Sequence, residues 1–182
     1  IKTEKFFTGI YPYAIMTSTF YPLNTNRKGL LKVSMSSQDW CGQVYSQFNN
    51  REQNLELTRY SYFQKEGDIE KKLEKGLLEE EIFTQIRIDP SQLPIGDLKL
   101  YPSSKYLRLM HKEIKKYSAE AYIDTSSRNN TNIYTLNYKD LDRKLEIEFE
   151  NTFPFKIISW HETYIGLSGK KLTTSAKLKN DM

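Results

Sequence analysis

Residues 143–150 read RKLEIEFE, and this stretch decides the fold. Leu145, Ile147 and Phe149 alternate with Glu146, Glu148 and Glu150. Side chains that change face at every residue make a strand with one apolar and one charged face, as in a half-covered antiparallel sheet. The pattern continues outward. KIISWHETYI (156–165) is rich in β-branched and aromatic residues and reads as the next strand. GLSGK (166–170) supplies two turn glycines, and KLTTSAKLK (171–179) completes a hairpin. Upstream, SAEAYIDT (118–125) and NIYTLNY (132–138) flank SSRNNTN, a polar turn that contains a glycosylation-type Asn129-Asn-Thr and is read simply as a turn. YAIMTSTFYPL, LLKVSMSSQDW, GQVYSQFN and LELTRYSYF extend the series from residue 13 to residue 63. Turn signals about every 8–12 residues describe a meandering sheet.

One segment changes period. Ile69, Leu73 and Leu77, then Leu78, Ile82 and Ile86, have helical spacing, which predicts one helix or two short ones over 68–88. Asp68 would cap it, Gly76 would weaken its middle and Pro90 would end it. LEEEI (78–82) reads as its solvated face, DPSQLPIGD (89–97) as a loop, and SSKYLRLMHKEIKKY (103–117) fits either a short helix or a strand.

The bulk numbers suit one globular domain. The chain has 182 residues, 38% hydrophobic and 27% charged, and a length sufficient to bury about 70% of the unfolded surface without a disulfide or metal. Thirteen Tyr and nine Phe favour strands. A net charge of +4 with intermixed signs is no nucleic-acid footprint. No run reaches the ~20 apolar residues of a membrane-spanning helix. The chain begins with Ile1, so a fragment of a longer protein is expected, and the lack of a visible signal peptide does not argue for the cytoplasm. The expected fold is therefore α+β and β-dominated: a curved antiparallel meander with one or two short helices on it, forming one domain over residues 1–182.

Few residues carry chemistry. Cys41 is the sole cysteine, in SSQDWCGQ, and a nucleophilic thiol needs a base within reach. His161, with Asp39 or Glu162, would complete a hydrolase-like set, and His111 is the other histidine. The competing expectation is a buried thiol packed like a small apolar group, with Gly42 making room for a ring from a neighbouring strand. Lipid attachment at Cys41 is discounted because it lies within the chain. Two distant histidines and one cysteine offer no metal spacing, and Glu79, Glu80 and Glu81 would diverge around a helix. GLSGKK lacks the spacing of a phosphate loop. Lys105, Arg108, His111, Lys112, Lys115 and Lys116 form a basic cluster, read as a solvated edge or as contact with an anionic membrane surface. The first stretch crowds Phe6, Phe7, Tyr11, Tyr13, Phe20 and Tyr21 together, more rings than one strand face can bury.

FTGIYPYAIMTSTFYPLN, KVSMSSQDWCGQVYSQFN, SYFQKEGD, EEEIFTQIRIDPSQLPIGDLKLYPS, YLRLMH, FPFKIISWHETY and KKLTTSAKLK together resemble a family of uncharacterised Bacteroidetes proteins. Members of that family are exported or lipid-anchored and often carry the name "septum formation inhibitor Maf". Maf pyrophosphatases have a Ser-x-Ser-Pro-Arg-Arg motif that this chain lacks, so that name implies nothing here. The resemblance implies a periplasmic or outer-membrane location and a longer parent protein. The resulting expectation is a non-enzymatic envelope protein that binds a lipid or a protein partner in a groove of Tyr11, Tyr13, Phe20, Trp40 and Trp160. The alternatives are a hydrolase using Cys41 and His161, or a structural subunit of an outer-membrane complex. No cofactor, metal or nucleic acid is expected.

Overall fold

The structure is a computed structural model that describes residues 1–23, 29–126 and 130–179. Asn129 lies outside the described residues. In chain order the elements are β1 (Lys2–Thr8), β2 (Tyr11–Phe20), β3 (Lys32–Gln38), β4 (Gln43–Asn50), β5 (Leu55–Ser61), β6 (Ile69–Leu73) and the two-residue β7 (Leu77–Leu78). Then follow α1 (Glu80–Ile88), β8 (Gly96–Tyr101), α2 (Ser104–Leu109), β9 (Tyr117–Ser126), β10 (Thr131–Tyr138), β11 (Arg143–Glu150), β12 (Ile157–Ile165) and β13 (Lys171–Lys177). The α+β, β-dominated class is that expected from the alternation. Backbone contacts divide the chain into two compact units, residues 1–81 with 102–115, and residues 82–101 with 116–182.

In the first unit β1 to β6 pair in sequence order, every neighbour antiparallel. The two-residue period decides the inner face: Ile15, Val33, Met35, Val44, Phe48, Leu55 and Leu57 are buried. Helix α2 packs on β3 and buries Tyr106 and Leu107. Its start is capped by the Ser103 hydroxyl, which accepts from Tyr106 N at 3.3 Å. Lys105 fastens the helix to β1 through Glu4, Nζ to Oε2 3.1 Å.

In the second unit the order β8-β9-β10-β11-β12-β13 is again a meander. RKLEIEFE is β11, with Leu145, Ile147 and Phe149 buried and each glutamate half-buried. Arg143 shares the buried face. Its guanidinium meets Glu162 of β12, Nε–Oε1 2.9 Å and Nη2–Oε1 2.8 Å, and lies 5.1 Å from the Tyr138 ring centroid. Glu162 stands opposite Leu145, so the pair is diagonal, and together the two charges let the ladder carry ionic groups inward, where either alone would be costly.

The helix expected over 68–88 is confined to 80–88, and Ile69–Leu73 is a strand. Ile69 and Leu73 are four apart, a separation that shares one face in a helix and in a strand alike. The β5 ladder, Arg59 opposite Ile69 and Leu55 opposite Leu73, settles it. Asp68 caps no helix; its carboxylate accepts from Ser61 N at 3.3 Å. The 89–97 loop ends early, since β8 begins at Gly96, and residues 104–109 of the ambiguous segment are helical.

LEEEI is not a solvated face. Glu79, Glu80 and Glu81 are 2%, 9% and 6% exposed. Glu80 Oε1 accepts from Ser104 N at 2.6 Å and Ser104 Oγ at 2.7 Å, and Glu81 accepts from Leu30 N (3.1 Å) and Leu78 N (3.3 Å). These carboxylates satisfy buried main-chain donors. Burial pushes both carboxyls up, Glu80 to about 7, against the opposing pull of the Ser104 donors.

Because the folded value of Glu80 lies above the ordinary 4.5, the native state holds this proton more tightly than the unfolded chain. Its cost is absent below the unfolded value and fully present above about 7. Between about pH 5 and pH 8 Glu80→Gln should therefore gain stability relative to the native chain, by on the order of 3 kcal/mol. Urea midpoints of the two proteins across that range test it, and a difference that is flat with pH would refute it.

Candidate functional site

The site is built from the turn end of the first sheet. Strand β3 stops at Gln38, and Asp39 to Gly42 make the turn into β4. Asp39 drives the reversal: its Oδ1 accepts from Cys41 N (2.8 Å) and Gly42 N (2.9 Å), while its own N–H donates to Gly42 O (3.0 Å). Oδ2 turns towards α2 and pairs with Arg108 Nη2 at 3.2 Å. Both side chains are buried, at 3% and 6% exposure. The Tyr62 hydroxyl also donates to Asp39 Oδ2, at 3.1 Å. Partial burial and this carboxylate push the Tyr62 phenol up to about 12.

The network continues across the sheet. The Arg108 guanidinium lies 4.5 Å from the Phe63 ring centroid, a cation–π contact, and Phe63 meets the His111 ring edge-on at 5.0 Å. His111 Nδ1 is 2.6 Å from Glu66 Oε1, and Ser61 Oγ donates to Glu66 Oε2 at 3.0 Å. Burial pulls the Glu66 carboxyl upward, but His111, Ser61 and Arg59 outweigh it and hold it below the usual range. The basic cluster is therefore no uniformly solvated edge: Arg108 is buried on Asp39, and Lys105, His111 and Lys115 face Glu4, Glu66 and Glu113.

Beyond this network the apolar row on β2 runs out into solvent. Ile15 is buried, Tyr13 is half-buried and stacked on Phe6 at 5.2 Å, and Tyr11 is 47% exposed. Trp40, from the neighbouring turn, sits edge-on to Tyr11 at 6.4 Å and is 72% exposed. Phe7 and Ile10, on the β1–β2 hairpin, are 74% and 82% exposed. Lys5, Phe6, Phe7, Pro12, Tyr13 and Trp40 line a shallow depression at this corner.

Three of the five expected groove residues, Tyr11, Tyr13 and Trp40, are thus brought together. Phe20 is not: it ends β2 about 30 Å of strand away from Tyr11 and lies under Lys32, whose Nζ is 4.9 Å from its centroid. Trp160 belongs to the second unit, half-buried on β12 between Ile147 and Ala176. Cys41 is exposed in the turn, correcting the expectation of a buried mid-strand thiol, because Asp39 ends the strand before reaching it. His161 is exposed on β12 opposite Glu146 and Ser175, in the other unit from Cys41. Gly42 does make room for a ring, that of Tyr62. Arg108, Tyr62 and Glu66 were not singled out as partners, although Arg108 stands beside Leu107 and Met110, apolar neighbours that betray a buried turn of helix.

Among the described residues no three metal-ligating side chains converge, and no helix is long and apolar enough to cross a membrane. Comparison with models of protein families, with curated proteins and with solved structures found no match to this chain.

A Cβ at Gly42 would stand 2.5 Å from the Tyr62 ring, which Asp39 and Phe63 hold in place. Gly42→Ala is therefore expected to lower stability by about 1–3 kcal/mol, read as a denaturant midpoint. Asp39→Ala strands the buried Arg108 charge and should cost more, about 3–5 kcal/mol. Equal losses for the two variants would show that the ion pair adds nothing to the turn.

Proposed function

We propose that the chain is a non-enzymatic binding protein of the cell envelope, whose first unit takes an apolar ligand, a lipid or a segment of a partner protein, at the aromatic corner of its sheet. One observation carries this reading: Tyr11 and Trp40 stand exposed and edge-on to one another at the end of the sheet, with Phe7 and Ile10 exposed on the adjoining hairpin, where a monomer would ordinarily cover such surface. Rings with one polar edge are suited to a site that is apolar on one side and wet on the other. The envelope location rests on the resemblance to exported Bacteroidetes proteins.

The ionisable groups nearest the corner already have structural work. Asp39 accepts from two main-chain N–H groups, Tyr62 and Arg108, and Glu66 accepts from Ser61 and His111. A general base needs a free lone pair facing a substrate, which these engagements disfavour. For the hydrolase reading, the expected base His161 belongs to the other unit, and His111 in the first unit is engaged by Glu66.

Native mass spectrometry of the purified protein, followed by organic extraction, tests the proposal. A lipid or peptide retained by the native chain and lost from Tyr11→Ala and Trp40→Ala is the expected result. Ester hydrolysis that disappears in Cys41→Ala, with nothing bound at the aromatic corner, would overturn it.

A further inference from the structure

The aromatic corner has features that a pocket for one small molecule does not need. Its side chains come from two hairpin ends that the register places at one edge: Thr8 pairs with Tyr11, Ala14 with Gln38, and Gln38 with Gln43. The most exposed apolar groups, Phe7, Ile10 and Trp40, lie on or beside the tips of those turns. Tyr11 and Tyr13 lie behind them, towards the covered sheet face. Phe7 and Ile10 are thus purely apolar and most exposed, and Trp40, Tyr11 and Tyr13 beside them are rings with a polar edge, the residue types that settle at the boundary of hydrocarbon and headgroups.

The backbone of these turns is also prepared for a medium without water. The ladder of β1 and β2 stays paired up to Thr8 and Tyr11, and Gly9 closes the reversal at φ +63°. In the second turn the N–H groups of Asp39, Cys41 and Gly42 all donate within the turn, to Gly42 O or Asp39 Oδ1. Unpaired main-chain donors would resist entry into the acyl region, and these three N–H groups of the second turn are paired.

Charge points the same way. Across residues 5–12 and 38–43 the charged side chains are Lys5 and Asp39. Asp39 is buried against Arg108, so the exposed charge of the two tips is that of Lys5 alone. In the adjoining segments 62–68 and 111–115 the charged side chains are Lys65, Lys112 and Lys115 against Glu66, Asp68 and Glu113, which balances to zero by formal charge with His111 neutral. An anionic headgroup layer would meet a single cation and no exposed carboxylate on the tips.

We infer that this end of the first unit docks on a lipid bilayer, with Phe7, Ile10 and Trp40 entering the boundary between headgroups and acyl chains and Lys5 facing the phosphates. This rests on the binding function proposed above and names its ligand as a membrane surface, in preference to an enclosed lipid or a protein segment.

Vesicles of phosphatidylethanolamine and phosphatidylglycerol test it with the whole chain. Co-sedimentation is expected, together with a blue shift of tryptophan emission and quenching by brominated acyl chains that are present in the native protein and absent in Trp40→Phe. Phe7→Ser with Ile10→Ser should weaken partitioning by about tenfold or more. Lys5→Glu should weaken binding to the anionic vesicles by about tenfold and change binding to phosphatidylcholine vesicles by less than about twofold. These variants alter exposed side chains, and thermal unfolding matching that of the native chain confirms that they fold. Vesicle binding that the tip variants leave unchanged overturns the inference. So does a Trp40 emission shift that follows protein concentration without vesicles, which assigns the corner to a second copy of the chain. No vesicle binding while a lipid or peptide is retained at Tyr11 and Trp40 overturns the bilayer alone and leaves the binding function standing. No binding of either kind removes both.

Discussion

Asp39 accepts from four donors in three parts of the first unit, and the candidate site depends on it. The carboxylate closes the turn after β3 through Cys41 N and Gly42 N, holds Tyr62 above Gly42, and pairs with Arg108 on α2. Each of these contacts is ordinary in strength; shared at one group excluded from water, they couple. A buried carboxylate without Arg108, or a buried guanidinium without Asp39, would be expensive enough to distort the turn, so helix and turn are placed together or not at all. Trp40 lies inside that turn. Its exposed position beside Tyr11 is consequently a product of the ion pair one residue away.

The same device recurs elsewhere in the unit. Glu81 accepts from Leu30 N and Leu78 N, and Glu80 from Ser104 N and its hydroxyl. In each case a glutamate is brought inward to meet a main-chain donor. The cost is visible in the raised Glu80 and Glu81 carboxyls, which pull back towards their protonated forms. Helix α1 softens that cost, because its first turn offers unpaired N–H groups and the positive end of its dipole to Glu80 and Glu81.

What was legible beforehand follows from the range of each signal. Alternation in RKLEIEFE is local and repeated over eight residues, so β11 emerged with its faces correct, and the neighbouring hairpins with it. Ile69 and Leu73 fit two periods equally, and the pairing with Leu55 to Arg59 that decided between them lies outside any local window. LEEEI was misread for a related reason: the donors that draw Glu80 and Glu81 inward are Ser104 and Leu30, which are 24 and 51 positions away. At the site, the crowding of rings near the N-terminus pointed to surplus aromatic surface, and Tyr11, Tyr13 and Trp40 do meet there. Phe20 was grouped with them by composition, although position along β2 puts it at the far end. SSQDWCGQ reads as strand through Cys41, because nothing in its spacing announces that Asp39 folds back on its own backbone.

The exposed rings are better understood as a consequence of where the covering element stops. Helix α2 is six residues long and packs on β3, over a sheet whose second strand alone has ten. A helix rises about 1.5 Å per residue and a strand about 3.3 Å, so six helical residues shield under a third of that strand's length. The inward row of β2 therefore passes from Ile15 under cover to Tyr13 and then Tyr11 outside it, and the residue types change in step from aliphatic to phenolic. Trp40 adds a further exposed ring beside Tyr11, and Phe7 and Ile10 are exposed on the adjoining hairpin, groups that no inward-facing position requires. Their presence at the end of the sheet, beside a turn whose Asp39, Cys41 and Gly42 donors are paired, makes the uncovered end a surface shaped for something apolar.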